Sequence, residues 1–295
     1  MNFNKNKNQD NKLKKLLILL IFYFAFSIKV QGEVIIVRDV PESPAINDII
    51  NNIVSSIESF LPESLYVYTN KEFKDISHKK DVIVIGNESI SKLDDFRIEF
   101  NRKIHVGSML PSENAYSFGF TPSPRDVVEK IKNYFPSKKK VYIVSNKRHE
   151  WLDKHYEKYF QENNIKVTFY YANSLRDATE HYKNILTKIN NESGLILLNE
   201  NSMVDEDAIL PYILNKSWDE DIAILSTKSS HAKYGILMSF VPDIKNFGKQ
   251  VNECFVNNCN SIDNIDGFNI TKPLVNKRMY KHLELDFNDE VIFLE

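Results

Sequence analysis

Two rhythms of apolar residues alternate along this chain. Short aliphatic and aromatic runs at Val34–Val37, Leu65–Thr69, Val82–Ile85, Ile104–Val106 and Val141–Val144 have the length and composition of buried strands, and four more follow at 167–171, 195–198, 222–225 and 236–240. Between them the spacing changes to the helical period. Ile46, Ile49, Ile50, Ile53, Val54 and Ile57 form one stripe, closed by Pro62; Val127, Val128, Ile131, Tyr134 and Phe135 form another, closed by Pro136. Trp151, Leu152, Tyr156, Tyr159 and Phe160 share a face of a helix over 148–163, and Leu175, Ala178, Tyr182, Ile185, Leu186 and Ile189 share a face of the next. Asp243 is placed to cap a helix whose Ile244, Phe247, Gly248, Val251 and Phe255 turn inward. Asn87 to Phe100 is a weaker helix, and the one around Asp205–Asn215 carries Pro211, which predicts that it is short or kinked. At the second stripe Ser123 suits the N-cap, Pro124 the first turn, and Asp126 completes a capping-box-like pattern.

Regular alternation of strand and helix requires right-handed crossovers and parallel sheets. The expected fold is α/β, with two Rossmann-like lobes joined through crossings near Phe120 and Phe240. The first lobe is reduced, because only about a dozen polar residues separate Leu65–Thr69 from Asp81–Gly86.

Composition and the amino terminus add the compartment. Lys12, Lys14 and Lys15 precede the apolar run Leu16–Phe26, and Val30-Gln31-Gly32 supplies a cleavage site, the layout of a secretory signal peptide over 1–32. The run is well short of the roughly 20 residues that span a bilayer. Those 32 residues hold six of the lysines, so the remaining chain has 32 basic against 39 acidic residues. A modestly acidic body argues against a nucleic-acid partner. Export permits a disulfide between Cys254 and Cys259. A five-residue offset within one regular helix would rotate their Cβ atoms apart, so a bridge requires the helix to end near Asn257; the sequence leaves both states open.

Motifs for chemistry are missing. With eight glycines and neither G-x-G-x-x-G nor a P-loop, nucleotide chemistry is disfavoured, and no G-x-S-x-G elbow occurs. Ser89-Ile90-Ser91-Lys92 matches S-x-x-K without the partner motifs. His149-Glu150 and His155 have the wrong spacing for a shared zinc ion, and read as solvent-exposed helix residues. Asp205-Glu206-Asp207 reads as a helix-start acid cluster that complements the dipole. No enzymatic activity, cofactor or metal is therefore expected.

Polar residues do recur at the ends of successive strands: Asn87 and Ser89, Ser108, Ser112 and Glu113, Ser145-Asn146, Asn199-Glu200, and Ser226-Thr227. Helix capping and loop solvation explain any one of them. As a set around one cleft they would form a site for a small polar ligand, with Glu200 or Glu113 against an amine and Tyr116, Phe118 and Phe120 as a stacking wall or as core.

A resemblance points the same way. The segments PSPRDVVEKIKNYFPSKKKVYIVSN, GLILLNEN, IAILST, GILMSFVPDIKNFGKQ and VNKRMYKHLEL resemble the ABC-transporter substrate-binding proteins of the tryptophan/tyrosine-type importer group, over roughly Lys103 to Ile292. That resemblance implies a type I periplasmic binding protein with three hinge crossings. Its first lobe would comprise 33–120 plus about 241–295, its second 121–240. It implies ligand contacts at Asn87, Ser89, Asn146, Asn199, Glu200 and Thr227, with Ser112 added from the strand-end pattern. The implied protein is a periplasmic monomer, non-enzymatic, with a small-molecule ligand and an ABC permease as partners. The alternative is an orphan of the same fold acting as a sensor or interaction module with a membrane protein.

Overall fold

The computed structural model describes residues 34–38, 44–61, 65–69, 81–86, 100–108, 115–190, 192–198, 203–257, 259, 265–287 and 291–295. The expected signal peptide, the connection at 70–80, most of the weaker helix expected at 87–100 and the S-x-x-K stretch lie outside them.

Thirteen strands are present among the described residues: β1 Val34–Arg38, β2 Leu65–Thr69, β3 Asp81–Ile85, β4 Arg102–Val106, β5 Tyr116–Pro122, β6 Lys140–Ser145, β7 Lys166–Tyr171, β8 Ser193–Leu197, β9 Ile224–Ser226, β10 Met238–Ser239, β11 Ile265–Phe268, β12 Leu274–Asn276 and β13 Ile292–Leu294. They form two sheets, ordered β11-β5-β4-β3-β1-β2 and β13-β12-β10-β9-β8-β6-β7. Every pairing is parallel except β10 with β12. The expected α/β architecture of two parallel-dominated sheets is what the chain adopts.

Helices cover the sheets because their apolar stripes must be buried. On the first sheet α1 (Pro44–Phe60) presents Ile50, Ile53 and Ile57 to Ile36, Ile83, Ile85 and Val106. The second sheet is covered on both faces, and the period of two in β6 shows it. Val141 and Ile143 join the cluster under α2 (Pro124–Tyr134) and α3 (Glu150–Glu162), while Tyr142 and Val144 join the one under α4 (Leu175–Leu186) and α5 (Ile209–Asp219). Helix α5 runs unbroken for 11 residues rather than ending at Pro211. It starts at Ile209, so Pro211 falls in the first turn, where no backbone N–H is required; Asp205 Oδ1 accepts from Asp207 N and Ala208 N just ahead of it. Two short helices complete the second sheet's cover, α6 (Ser229–Tyr234) and α8 (Lys277–His282), and α7 (Phe247–Val256) packs on α1 over the first sheet.

The chain passes between the sheets three times: after β5, after β10 and after β11. Three crossings are what the resemblance implies, but the last falls inside the segment 241–295 that was assigned whole to the first lobe. Segment 241–268 does rejoin the first sheet through α7 and β11, but β12 and β13 lie in the second. Helix α7 ends at Val256 with Asn257 as its C-cap, and Cys254 and Cys259 are bridged. Cys259 sits in the left-handed region at φ 48°, outside the helix, which is how a five-residue offset is closed.

Candidate functional site

Strand direction locates the site. β5 and β11 leave the first sheet at their C-terminal ends for the second, and β10 leaves the second at its C-terminal end for the first. The C-terminal edges of both sheets therefore meet at the crossings, the position at which open α/β sheets bind ligands.

On the first edge, β3 and β4 run out into Gly86 and Gly107, both with positive φ. At Gly107, φ 82°, an added Cβ would lie 2.3 Å from Phe120 Cε2, so the ring rests directly on the backbone. Phe120 is 43% exposed and meets Phe268 edge-on at 6.0 Å. The other two aromatics have different fates. Phe118 is core, edge-on to Phe247 at 5.1 Å, and Tyr116 packs half-buried beside it. The stacking wall reduces to Phe120.

On the second edge, Asn146 follows β6 and Thr227 follows β9, with β8 between those strands. The topology thus brings two of the expected ligand residues to one edge. Asn146 Oδ1 accepts from Arg148 N at 2.9 Å and caps the turn Lys147–His149; Thr227 is buried and its N donates to Leu197 O. Asn87, Ser89, Ser112, Asn199 and Glu200 lie outside the described residues.

Two polar clusters at this edge were missed in the sequence. In the first, Ser145 Oγ donates to Asp153 Oδ1 and Oδ2 at 2.9 and 2.7 Å, and the Tyr171 hydroxyl also bonds Asp153. Asp153 is 2% exposed, and burial pushes its pKa up to about 7 against the opposing hydrogen bonds. Burial, with the Asp153 charge adding to it, pushes Tyr171 up to about 12. A signal was available, because Asp153 interrupts the stripe between Leu152 and Tyr156. In the second cluster, Ser226 Oγ lies 2.8 Å from His231 Nδ1, His231 Nε2 lies 3.4 Å from Glu206 Oε1, and Lys228 Nζ pairs with Glu206 Oε1. A serine, a histidine and a glutamate in line invite comparison with a catalytic triad. Ser226 Oγ is fully buried, though, and accepts from Lys228 N besides contacting His231, so it is not open to attack. Among the described residues no three His, Cys, Asp or Glu side chains converge as metal ligands. His155 corrects the expectation of exposed histidines: it is buried, edge-on to Trp151 at 5.9 Å, because it shares that inward stripe.

No family model matches the chain. No curated protein matches it either. Solved structures do. A ligand-free, open substrate-binding protein with adhesive properties from Clostridium difficile is similar at 14% identity and a TM-score of 0.59, covering 90% of this chain and 99% of that one. A conserved domain protein from Vibrio cholerae is similar at 11% identity and a TM-score of 0.50, covering 88% and 97%. The fold is that of a type I periplasmic binding protein.

In a type I periplasmic binding protein the crossings are the hinge, and here they are tied to one another. Ser123 N donates to Phe268 O at 2.7 Å, and Ser123 Oγ donates to Asp266 Oδ1 at 2.8 Å. Asp126 Oδ2 accepts from Ile270 N at 2.9 Å, Thr271 N donates to Val241 O, and Asp243 N to Asn269 O. The expected capping box is therefore absent: Ser123 makes no side-chain cap bond, and both polar side chains reach across to the 266–270 segment instead. At Gly267 a Cβ would come within 2.5 Å of Thr121 O, so two crossings pass in backbone contact. Burial raises the pKa of Asp266 despite the hydrogen bonds from Ser123 and Gly267 N. No helix among the described residues is long and apolar enough to cross a membrane.

Proposed function

We propose that this is an exported, non-enzymatic solute-binding protein that encloses a small polar, amino-acid-like ligand between its two edges and passes it to an ABC importer of the tryptophan/tyrosine type. The observation that carries this reading is the meeting of two C-terminal sheet edges at three crossings, one edge offering an exposed aromatic face at Phe120 and the other a row of polar groups. A ligand favours lobe closure only to the extent that it binds the closed form better. A planar face opposite polar groups suits a solute with one apolar and one charged end. The buried state of Ser226 supports a binding role over hydrolysis. The protein acts as a monomer in the periplasm, and the permease reads its closed state.

Thermal unfolding of the mature chain against amino acids, nucleosides and small amines tests the reading. A specific ligand at a hundredfold excess over its Kd stabilises by about 2.7 kcal/mol. That corresponds to a rise of roughly 5–10 °C in Tm for a protein of this size. A flat panel overturns it.

A further inference from the structure

Glu206, Lys228 and His231 were absent from the expected ligand set, yet they form the best-supported polar group on the second edge. Glu206 follows β8 and Lys228 follows β9, so both project from the C-terminal edge that meets the crossings. Their side chains are 31% and 39% exposed overall, but Glu206 Oε1 itself is enclosed between the Lys228 ammonium and His231, so a solute reaches it only once Lys228 has moved. The brace is His231, 2% exposed, with Nδ1 on Ser226 Oγ and Nε2 turned to Glu206 Oε1 at 3.4 Å without a hydrogen-bond partner of its own. A buried imidazole spent on aiming a half-open carboxylate is a poor use of burial unless that carboxylate has a task, since buried polar groups without partners are unfavourable. The hydrogen bond from Lys228 also keeps Glu206 below the usual carboxylate range, hence ionised, with His231 adding to the effect.

Resting on the solute-binding reading above, we propose that Glu206 is the amine-recognition residue of the cleft, and that the Lys228 ammonium occupies the ligand's place on it in the open state. An incoming primary ammonium offers the same charge and the same three donors as Lys228. Lys228 can move aside because its flexible stem is exposed, while its backbone N–H and C=O, bonded to Ser226 Oγ and His231 N, hold only the main chain in place. Ligand entry is then an exchange of one ammonium for another on an oxygen already oriented by His231. The exchange discriminates sharply against solutes that lack the amine, since these would have to leave Lys228 in place or strand Glu206.

The two residues predict opposite signs. The probes are the L-amino acids and their N-acetyl derivatives, titrated calorimetrically into wild type, Glu206→Gln and Lys228→Met, with ligand-free melting curves confirming that each variant is folded. The amino acid that binds wild type is expected to bind E206Q at least 10-fold more weakly, to bind K228M at least as tightly as wild type, and to lose binding on N-acetylation, in line with a charge-assisted hydrogen bond. Unchanged affinity in E206Q, or weakened affinity in K228M, overturns the assignment and leaves the solute-binding reading standing. If no amino acid binds wild type, the parent reading falls and this assignment falls with it. Should E206Q fail to fold, the sign in K228M alone decides.

Discussion

Asp153→Asn isolates the cost of burying a carboxylate in the second lobe. Wild-type Asp153 is almost fully enclosed, receives hydroxyl donors from Ser145 and Tyr171, and titrates at about 7. In the unfolded chain the same group titrates near 3.9. A folded-state pKa above the unfolded one means the native protein binds the extra proton between those values. Its stabilising effect is therefore full below about pH 4 and is lost as pH rises through 7. Roughly 3 pH units at 1.36 kcal/mol each gives about 4 kcal/mol in total. The neutral Asn amide still accepts from Ser145 but has no proton to lose, so D153N should gain on wild type by about 2 kcal/mol between pH 5 and pH 7, where the wild-type carboxyl is half titrated. Groups other than Asp153 are the same in the two proteins and cancel in the difference. Both tryptophans, Trp151 and Trp218, lie in helices of the second sheet, so urea unfolding followed by tryptophan fluorescence at pH 5, 6, 7 and 8 reports on the lobe that holds Asp153. Parallel pH profiles for the two proteins would refute the reasoning, because they would mean that Asp153 titrates alike in both states.

Two further perturbations probe the connections between the sheets and the end of α7. Gly267→Ala should destabilise by 1–3 kcal/mol or somewhat more, about the usual range for overpacking, because its Cβ meets backbone at Thr121 and Ser123 rather than a movable side chain; a urea midpoint unchanged from wild type would disprove that contact. The Cys254–Cys259 bridge should shield both thiols from iodoacetamide until a reductant is added, and reduction should lower stability by about 2 kcal/mol for so short a loop; alkylation of the unreduced protein, read by mass, would show the bridge absent.

The parallel architecture was legible because long apolar stripes are local. Ile50, Ile53 and Ile57, or Ala178, Tyr182 and Ile185, declare their faces within one helix. What periodicity missed were elements too short to have a period: β12 and β13 are three residues each, so nothing in their spacing assigned them to the second sheet. The site divides along the same line. Asn146 and Thr227 could be placed on one sheet edge because strand ends are visible in sequence, but Glu206 was read only as a helix-start charge, since its partners Lys228 and His231 arrive through a neighbouring strand. Ser123 and Asp126 show the limit most clearly. Their spacing satisfies a local capping rule, and the fold overrides it because Asp266 and the Ile270 N–H, more than 140 residues away, need partners where the crossings press together. A local pattern holds only until a buried polar group elsewhere competes for the same side chain, and where β5 and β11 slip register as they leave the sheet, that competition is strong.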